Sequence, residues 1–104
     1  MPNRKDQTST IIRDSAKEQV REPSMYQVIL HNDHYTTQDF VVDVLRTVFH
    51  KSAPEATKIM LDVHRKGRGI VGSYTFDIAR TKVDQVMKLA RESGFPLKCT
   101  MEKI

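Results

Sequence analysis

The pattern of apolar and polar positions divides the chain into two parts. Residues 1–24 have no convincing period and are rich in Ser, Thr, Lys, Glu and Asp. Their one adjacent apolar pair, Ile11 and Ile12, buries too little surface to offset the entropy of ordering such a segment. Pro23 then marks the join to a strongly patterned region. We therefore expect a mobile N-terminal extension over 1–24 and one folded domain over 25–104.

The folded part opens with a strand, a polar turn and a helix. A strand over 26–31 is predicted by apolar side chains that alternate onto one face: Tyr26, Val28 and Leu30. After the turn, Thr36 and Asp39 have the spacing of a capping box, which predicts a helix that starts there and continues to about His50. Its apolar stripe is Phe40, Val41, Val44, Leu45 and Val48.

A second helix follows at once. Ser52 and Glu55 repeat the capping-box spacing, and Pro54 falls in the first turn, where its missing N–H costs nothing. The helix is predicted to end near Gly67. Its inward side chains are expected to be Ala56, Ile59, Met60 and Val63.

The rest of the chain adds a strand over 70–74, a helix and a final strand. Thr75 is the expected N-cap of the helix and Gly94 the residue after its end. Its apolar stripe is Ile78, Ala79, Val83, Val86, Met87 and Ala90. The last strand alternates Leu97, Cys99 and Met101 with polar residues. The order β-α-α-β-α-β predicts a two-layer α+β fold, in which three helices cover a small, mainly antiparallel three-stranded sheet.

Composition and charge narrow the class of protein. The 17 Lys and Arg residues exceed the 13 Asp and Glu residues by a net charge of +4, and the surplus is spread along the chain. Nucleic-acid binders usually cluster such charge, so we expect no nucleic-acid partner. No apolar run is long enough to span a membrane, and no apolar leader follows Met1. A single cysteine, Cys99, excludes an internal disulfide and suggests a reducing compartment. We expect a cytoplasmic monomer.

The sequence carries no signature of an enzyme. No Ser or Cys lies in a nucleophile motif, and Gly67-Arg68-Gly69 is too short for a phosphate-binding loop and follows a helix. His31 and His34 lack a known metal-ligand spacing and have no accompanying thiolates. We therefore expect no catalytic residues, no metal and no cofactor.

The turn after the first strand is the strongest concentration of polar chemistry. It brings together Asn32, Asp33, His34 and Thr36, and His64 ends a helix whose inner face is apolar. His64 either satisfies a carbonyl at its own helix end or shares a pocket with Asn32 and Asp33. In the second case the amide, carboxylate and imidazole acceptors suit an ammonium group, which has three donors and no acceptor. Apolar walls for a side chain would come from Met60, Val63 and Leu97.

These segments resemble the ClpS adaptor family. The resemblance rests on five separated motifs in order: 26–36, 40–45, 56–64, 81–83 and 96–103. It covers about residues 25–104. The resemblance implies an adaptor, not an enzyme, that recognises the N-terminal residue of N-end rule substrates and delivers them to a Clp AAA+ unfoldase–protease. The implied partners are those substrates and the N-terminal domain of a ClpA- or ClpC-like unfoldase.

The resemblance also implies roles for individual residues. The free α-amino group of the substrate would be bound by Asn32, Asp33, His34 and His64. Its large apolar side chain would be enclosed by Thr36, Gln38, Val41, Met60, Val63 and Leu97. Docking on the unfoldase would use Asp77, Arg80, Thr81 and Lys82. The extension over 1–24 would take part in delivery.

Three positions depart from the family's usual pattern. His34 replaces an acidic residue in the turn, Gln38 replaces a methionine that gates the pocket against β-branched residues, and Arg80 replaces an acid near the docking helix. We therefore expect a shifted or narrowed preference for N-terminal residues. If these departures abolish affinity for N-terminal residues, the alternative function is a regulator of the unfoldase that does not deliver substrates. A second alternative is an RNA- or ribosome-associated domain.

Overall fold

The computed structural model describes residues 22–104, so most of the predicted extension over 1–24 lies outside the described residues. The elements are β1 (Met25–His31), α1 (Gln38–Thr47), α2 (Ala53–Lys66), β2 (Arg68–Thr75), α3 (Phe76–Ser93) and β3 (Lys98–Lys103). The three strands form an antiparallel sheet in the order β2-β1-β3. The predicted α+β class and element order are therefore confirmed. Within 22–104 no helix has the length and apolar character needed to cross a bilayer.

The core lies between the sheet and the helices. The central strand β1 sends Val28 and Leu30 into it, and the same cluster of buried side chains contains Val44 and Leu45 of α1 and Val86 of α3. All of these side chains are buried. This agrees with the alternation and helical spacing from which the elements were predicted, because both periods point one apolar face toward the same layer.

The N-terminus of α1 differs from the prediction. The N-cap is Thr37, whose side chain accepts a hydrogen bond from the Phe40 N–H, and not Thr36. The hydroxyl of Thr36 is used elsewhere, since it donates to Asp33 at 2.7 Å. The capping box predicted for Thr36 and Asp39 is therefore wrong by one residue. The Thr36 hydroxyl is already bonded to Asp33, so the next residue, Thr37, caps the helix.

The C-terminus of α1 is also earlier than expected. The helix ends at Thr47 with Val48 as C-cap, and His50 follows with a positive φ of 57°. His50 therefore belongs to the connection between α1 and α2 and is not in the last helical turn. The capping box of Ser52 and Glu55 is confirmed, with both of its reciprocal hydrogen bonds present.

Two glycines end helices as predicted. Gly67 after α2 has φ 89° and Gly94 after α3 has φ 76°, a left-handed conformation that other residues adopt at a cost. Thr75 is the N-cap of α3, although its side chain makes no capping hydrogen bond. Ile78 is the exception in the predicted stripe of α3, because it lies half exposed in the first turn.

The single cysteine is a core residue. Cys99 is buried on the helix-facing side of β3, as its alternation with polar neighbours predicts. Burial disfavours the thiolate and raises the pKa of the Cys99 thiol to about 12. Since the thiolate is the reactive form, this thiol is unreactive at neutral pH.

Lys82 ties α3 to the end of α1. Its Nζ donates a hydrogen bond of 2.8 Å to the Val48 carbonyl oxygen. The same ammonium lies 5.7 Å from the ring centroid of Phe49 and 5.8 Å from that of Tyr74. The carbonyl at a helix C-terminus carries partial negative charge, so this cation satisfies both a hydrogen-bond acceptor and the helix dipole.

Lys82→Met is therefore expected to lower the free energy of unfolding by about 1–3 kcal/mol, through a lost charge-assisted hydrogen bond and lost cation–π contacts. Urea unfolding followed by circular dichroism measures this. Lys88→Met, on the exposed face of the same helix, is the matched control and is expected to change stability by less than about 0.5 kcal/mol. Equal stability of the two variants would show that the contact contributes nothing to the fold.

Candidate functional site

One cavity lies where the β1–α1 loop, the start of α1 and the inner face of α2 meet. Its volume is about 210 Å³. It is lined by Asn32, Asp33, His34, Thr36, Gln38, Val41, Met60, Val63 and His64. The residues predicted to bind the substrate amine and side chain thus line one cavity, except for Leu97. That side chain is 2% exposed and belongs to the hydrophobic core.

A backbone hydrogen bond holds the two polar sides of the cavity together. The Asn32 N–H donates to the Gly67 carbonyl oxygen at 3.0 Å. Gly67 directly follows α2, whose last turn contains His64. The bond therefore fixes the start of the loop to the end of this helix, and it uses no side-chain atom of Asn32.

Asp33 organises the loop. Its Oδ1 accepts hydrogen bonds from the N–H groups of Tyr35 (2.8 Å) and Thr36 (2.7 Å), and its Oδ2 accepts one from the Thr36 hydroxyl. This is the local turn that Asp side chains form with the backbone two and three residues on. An ionised carboxylate has about four acceptor sites, so capacity remains for a ligand.

These contacts determine the protonation of Asp33. Burial by itself raises the pKa of the Asp33 carboxyl, but the hydrogen bonds from Thr36 and Tyr35 and the nearby His34 outweigh it. The net effect is a pKa below the ordinary value, because each of these partners favours the charged form. The loop therefore presents a fixed negative charge to the cavity at neutral pH.

The floor of the cavity is part of the hydrophobic core. Val41, Met60 and Val63 line it and are 5%, 9% and 3% exposed. The position of Val63 depends on a close approach of α2 to β2, where a Cβ added to Gly69 would lie 2.7 Å from the Val63 Cγ2 atom. Such a contact is too short for any real side chain, so a residue without Cβ allows Val63 to reach the floor.

The rim is polar and open to solvent. Asn32, His34, Gln38 and His64 are all exposed side chains. They add amide and imidazole groups to the carboxylate of Asp33, directly above the apolar floor. The arrangement suits a ligand in which a cationic hydrogen-bond donor and an apolar group are joined through very few bonds. Among residues 22–104 no cluster of His, Cys, Asp and Glu could hold a metal ion.

The residues predicted to dock on a partner lie on the first turns of α3, away from this cavity. Asp77, Arg80 and Thr81 are exposed there. Arg80 is 3.5 Å from Asp84 in an exposed ion pair one turn along the helix. Lys82 differs from these three, since its ammonium is engaged with Val48, Phe49 and Tyr74.

Two contacts were not predicted from the sequence: the turn formed by Asp33 and Thr36, and the hydrogen bond from Lys82 to Val48. The spacing of Asp33 and Thr36 was a signal of the turn that they form, because an Asp often bonds to the backbone and to a Ser or Thr hydroxyl within three residues. The contact of Lys82 with Val48 had no such signal, since the two residues are 34 positions apart in the chain.

Comparison with known proteins supplies relatives for the whole described domain. Residues 21–100 match the family model described as "ATP-dependent Clp protease adaptor protein ClpS". A protein of Syntrophus aciditrophicus named "ATP-dependent Clp protease adapter protein ClpS" is 60% identical over 88 residues, which cover 85% of this chain and 82% of that protein. A protein of the same name from Acetivibrio thermocellus is 58% identical over 93 residues, covering 89% of this chain and 94% of the relative.

A solved structure is similar as well. It is described as "The structure of Agrobacterium tumefaciens ClpS2 bound to L-phenylalaninamide" and is 40% identical in sequence. The TM-score is 0.77, and the match covers 80% of this chain and 100% of that one. The ligand named for that structure combines a free α-amino group with an aromatic side chain on the same carbon.

Proposed function

This chain belongs to the ClpS family of Clp protease adaptors, and we propose that it binds proteins by a free N-terminal residue with a large apolar side chain and delivers them to a Clp AAA+ unfoldase–protease. The observation that carries the proposal is the cavity in which a polar rim with a fixed carboxylate lies directly above a core-lined apolar floor. A free N-terminal residue is the point of a polypeptide where an ammonium and a side chain share one carbon.

Different rim residues make different contacts with the ammonium. In this proposal the side chains of Asn32 and His64 accept its hydrogen bonds, and Asp33 supplies the negative charge beside it. An internal residue has no ammonium, and an acetylated terminus has lost its charge and two of its donors. The site therefore reads the end of a chain and ignores the same side chain elsewhere.

The floor selects the side chain. Burial of a Leu or Phe side chain against Val41, Met60 and Val63 contributes about 1.5–3 kcal/mol. Each charge-assisted hydrogen bond at the rim adds about 1.5–3 kcal/mol. After the cost of association we expect a dissociation constant in the micromolar range, corresponding to about −8 kcal/mol.

Gln38 is expected to change which side chains enter. It lines the mouth of the cavity as an exposed polar residue. In the ClpS family a methionine at this position gates the cavity against β-branched residues. Gln38 has a similar length but is polar, so this chain is expected to exclude Ile and Val less strictly. Peptides that start with Phe, Leu, Ile or Val, titrated against the protein and Gln38→Met, compare these preferences. Equal rejection of Ile by both proteins would remove Gln38 from the selection.

His34 lines the same cavity as Asp33 and His64. It stands where the ClpS family usually carries an acidic side chain, so the rim has one negative charge fewer beside the bound ammonium. His34→Asp restores that charge and is therefore expected to tighten binding of a Phe-starting peptide about three- to tenfold.

Calorimetric titration at constant pH tests this. His34→Asn is the matched control, since asparagine has nearly the size of aspartate without the charge. Equal affinities of His34→Asp and His34→Asn would remove position 34 from the contact with the ammonium.

Delivery requires a second surface, and we place it on the exposed start of α3. Asp77, Arg80 and Thr81 present both charges and a hydroxyl to a partner there, which we propose is the N-terminal domain of a ClpA- or ClpC-like unfoldase. Because the Lys82 ammonium is bonded to the Val48 carbonyl and is expected to stabilise the fold, a docking assay on its variants must be paired with an unfolding measurement.

Degradation of a reporter protein with an N-terminal Phe tests the whole proposal. With a purified Clp unfoldase–protease and ATP, addition of this chain is expected to accelerate loss of the reporter, and an N-terminal Ser reporter is the control. Binding of the Phe terminus without acceleration would identify a regulator that occupies the unfoldase but does not deliver. Absence of binding to the Phe terminus would contradict the recognition step itself.

A further inference from the structure

A row of basic side chains crosses the sheet next to the cavity. In the strand register His31 of β1 lies opposite Arg68 of β2 and opposite Lys98 of β3. Residues directly opposite in antiparallel strands share a face of the sheet. Their neighbours Gly69 and Cys99 are buried toward the helices, so this row lies on the outer face, the side of the sheet turned away from the helices.

The row is unfavourable for the fold if all three side chains are charged. A protonated His31 would lie directly opposite both Arg68 and Lys98, and like charges in that arrangement destabilise a sheet. Desolvation, followed by the charges of Lys98 and Arg68, lowers the pKa of the His31 imidazole, and Glu102 only partly offsets this. The neutral ring instead makes a 2.7 Å hydrogen bond between its Nε2 and the Thr100 hydroxyl. The fold thus keeps two permanent cations beside an uncharged histidine.

Little negative charge within the described domain compensates these cations. The Arg68 guanidinium is 4.0 Å from the Glu102 carboxylate, with both side chains about half exposed. An ion pair of this length and exposure contributes little. Within residues 22–104, Lys98 forms no ion pair with a carboxylate, and Asp62 is taken up by Lys66 at 3.6 Å.

The row borders the proposed binding site. His31 directly precedes Asn32, and Arg68 directly follows Gly67, the residue that accepts the Asn32 N–H hydrogen bond at 3.0 Å. The two outer strands are separated by about 10 Å, which an extended peptide crosses in about three residues. A polypeptide leaving the rim over this edge would therefore place its second to fourth residues along the row.

We propose that Arg68, His31 and Lys98 bind acidic side chains in the second to fourth residues of a polypeptide whose N-terminal residue occupies the cavity. This inference rests on the proposed function and adds a second determinant to it. Carboxylates supply the negative charge that the row lacks. A nucleic-acid backbone fits less well, because Glu102 lies on the same face and would repel phosphates that followed the sheet.

Two peptides of equal length test the proposal: Phe followed by three Glu, and Phe followed by three Gln, both with a free amine. Titrations at low salt are expected to give about three- to tenfold tighter binding of the Glu peptide. The double variant Arg68→Gln/Lys98→Gln should abolish this difference. Lys88→Gln/Arg91→Gln removes the same net charge from α3 and should preserve it.

The His31 imidazole gives a second readout that net charge alone would not move. A bound anion beside the ring favours its protonated form, so a pH titration followed by NMR should show a higher His31 pKa with the Glu peptide. The Gln peptide should leave that pKa unchanged. A shift of equal size with both peptides would contradict a carboxylate contact at the row.

The outcomes separate this proposal from the function on which it rests. Binding of both peptides with equal affinity, or a Glu advantage that persists in Arg68→Gln/Lys98→Gln, overturns the role of the row and leaves N-terminal recognition intact. Failure of both peptides to bind overturns both proposals. Binding of a single-stranded oligonucleotide that Arg68→Gln/Lys98→Gln abolishes, without a Glu advantage, would assign the row to nucleic acid and contradict ours.

Discussion

His64→Ala and Asn32→Ala are each expected to weaken binding of a Phe-starting peptide by about 10- to 100-fold, because each removes one charge-assisted hydrogen bond to the ammonium. Both side chains line the cavity and both are exposed in the free protein. Neither substitution should unfold the domain. The bond that joins the loop to α2 uses the backbone N–H of Asn32, which alanine retains.

Fluorescence anisotropy with a labelled peptide measures these affinities, and the double variant completes a mutant cycle. If the two groups hold the same ammonium, the loss in the double variant should differ from the sum of the single losses. His50→Ala is the matched control, since His50 is an exposed histidine that lies outside the cavity lining. Unchanged affinity in His64→Ala would show that this histidine only terminates its helix, which is the alternative left open by the sequence.

Asp33→Ala is expected to impair both stability and binding. Two backbone N–H groups and the Thr36 hydroxyl lose their acceptor, which should lower the free energy of unfolding by about 1–3 kcal/mol. Affinity for the peptide should fall at least tenfold, because the loop loses its shape and the ammonium loses the nearby charge. Asp33→Asn separates the two effects, since an amide oxygen still accepts the backbone hydrogen bonds while the charge is gone.

The stability contributed by Asp33 has a defined pH window. Its pKa is lower in the folded chain than in the unfolded chain, so its contribution is present above the ordinary carboxyl range. The contribution is lost as pH falls below about 4, through the folded pKa. Urea unfolding at pH 7 and pH 3 should therefore show a difference between the native chain and Asp33→Ala that shrinks in acid. An equal difference at both pH values would contradict the role of the ionised carboxylate.

Local patterns predicted most of the fold. Alternation on β1 and β3 and the stripes of α1 and α2 gave the right order of elements, because each period has a single physical origin in burial of one face. The end of α2 was predictable from Gly67, since a left-handed residue after a helix favours glycine. The prediction that failed was the N-cap of α1, which required a choice between two adjacent threonines. Thr36 and Thr37 are equally good caps, and the hydrogen bond to Asp33 decides between them.

Most of the residues that line the cavity were also expected from the sequence, but for different reasons. The polar turn, His64 and the apolar side chains of Met60 and Val63 suggested a shared pocket, and resemblance to a family added Thr36, Gln38 and Val41 to its lining. Leu97 was expected in that lining as well, but it is a buried core residue that is not among the side chains lining the cavity, and a local pattern predicts burial without saying which cavity a side chain faces. The roles of Lys82 and of the row through His31 depend on contacts between distant parts of the chain, which no local spacing encodes.

The central claim is that the cavity recognises the free end of a polypeptide. Its most direct test is a titration of the native protein with one Phe-starting peptide in two forms, with a free amine and with an acetylated amine. We predict micromolar binding of the free form and at least about 100-fold weaker binding of the acetylated form, since acetylation removes the ammonium and keeps the side chain. Equal affinity for the two forms would contradict the claim.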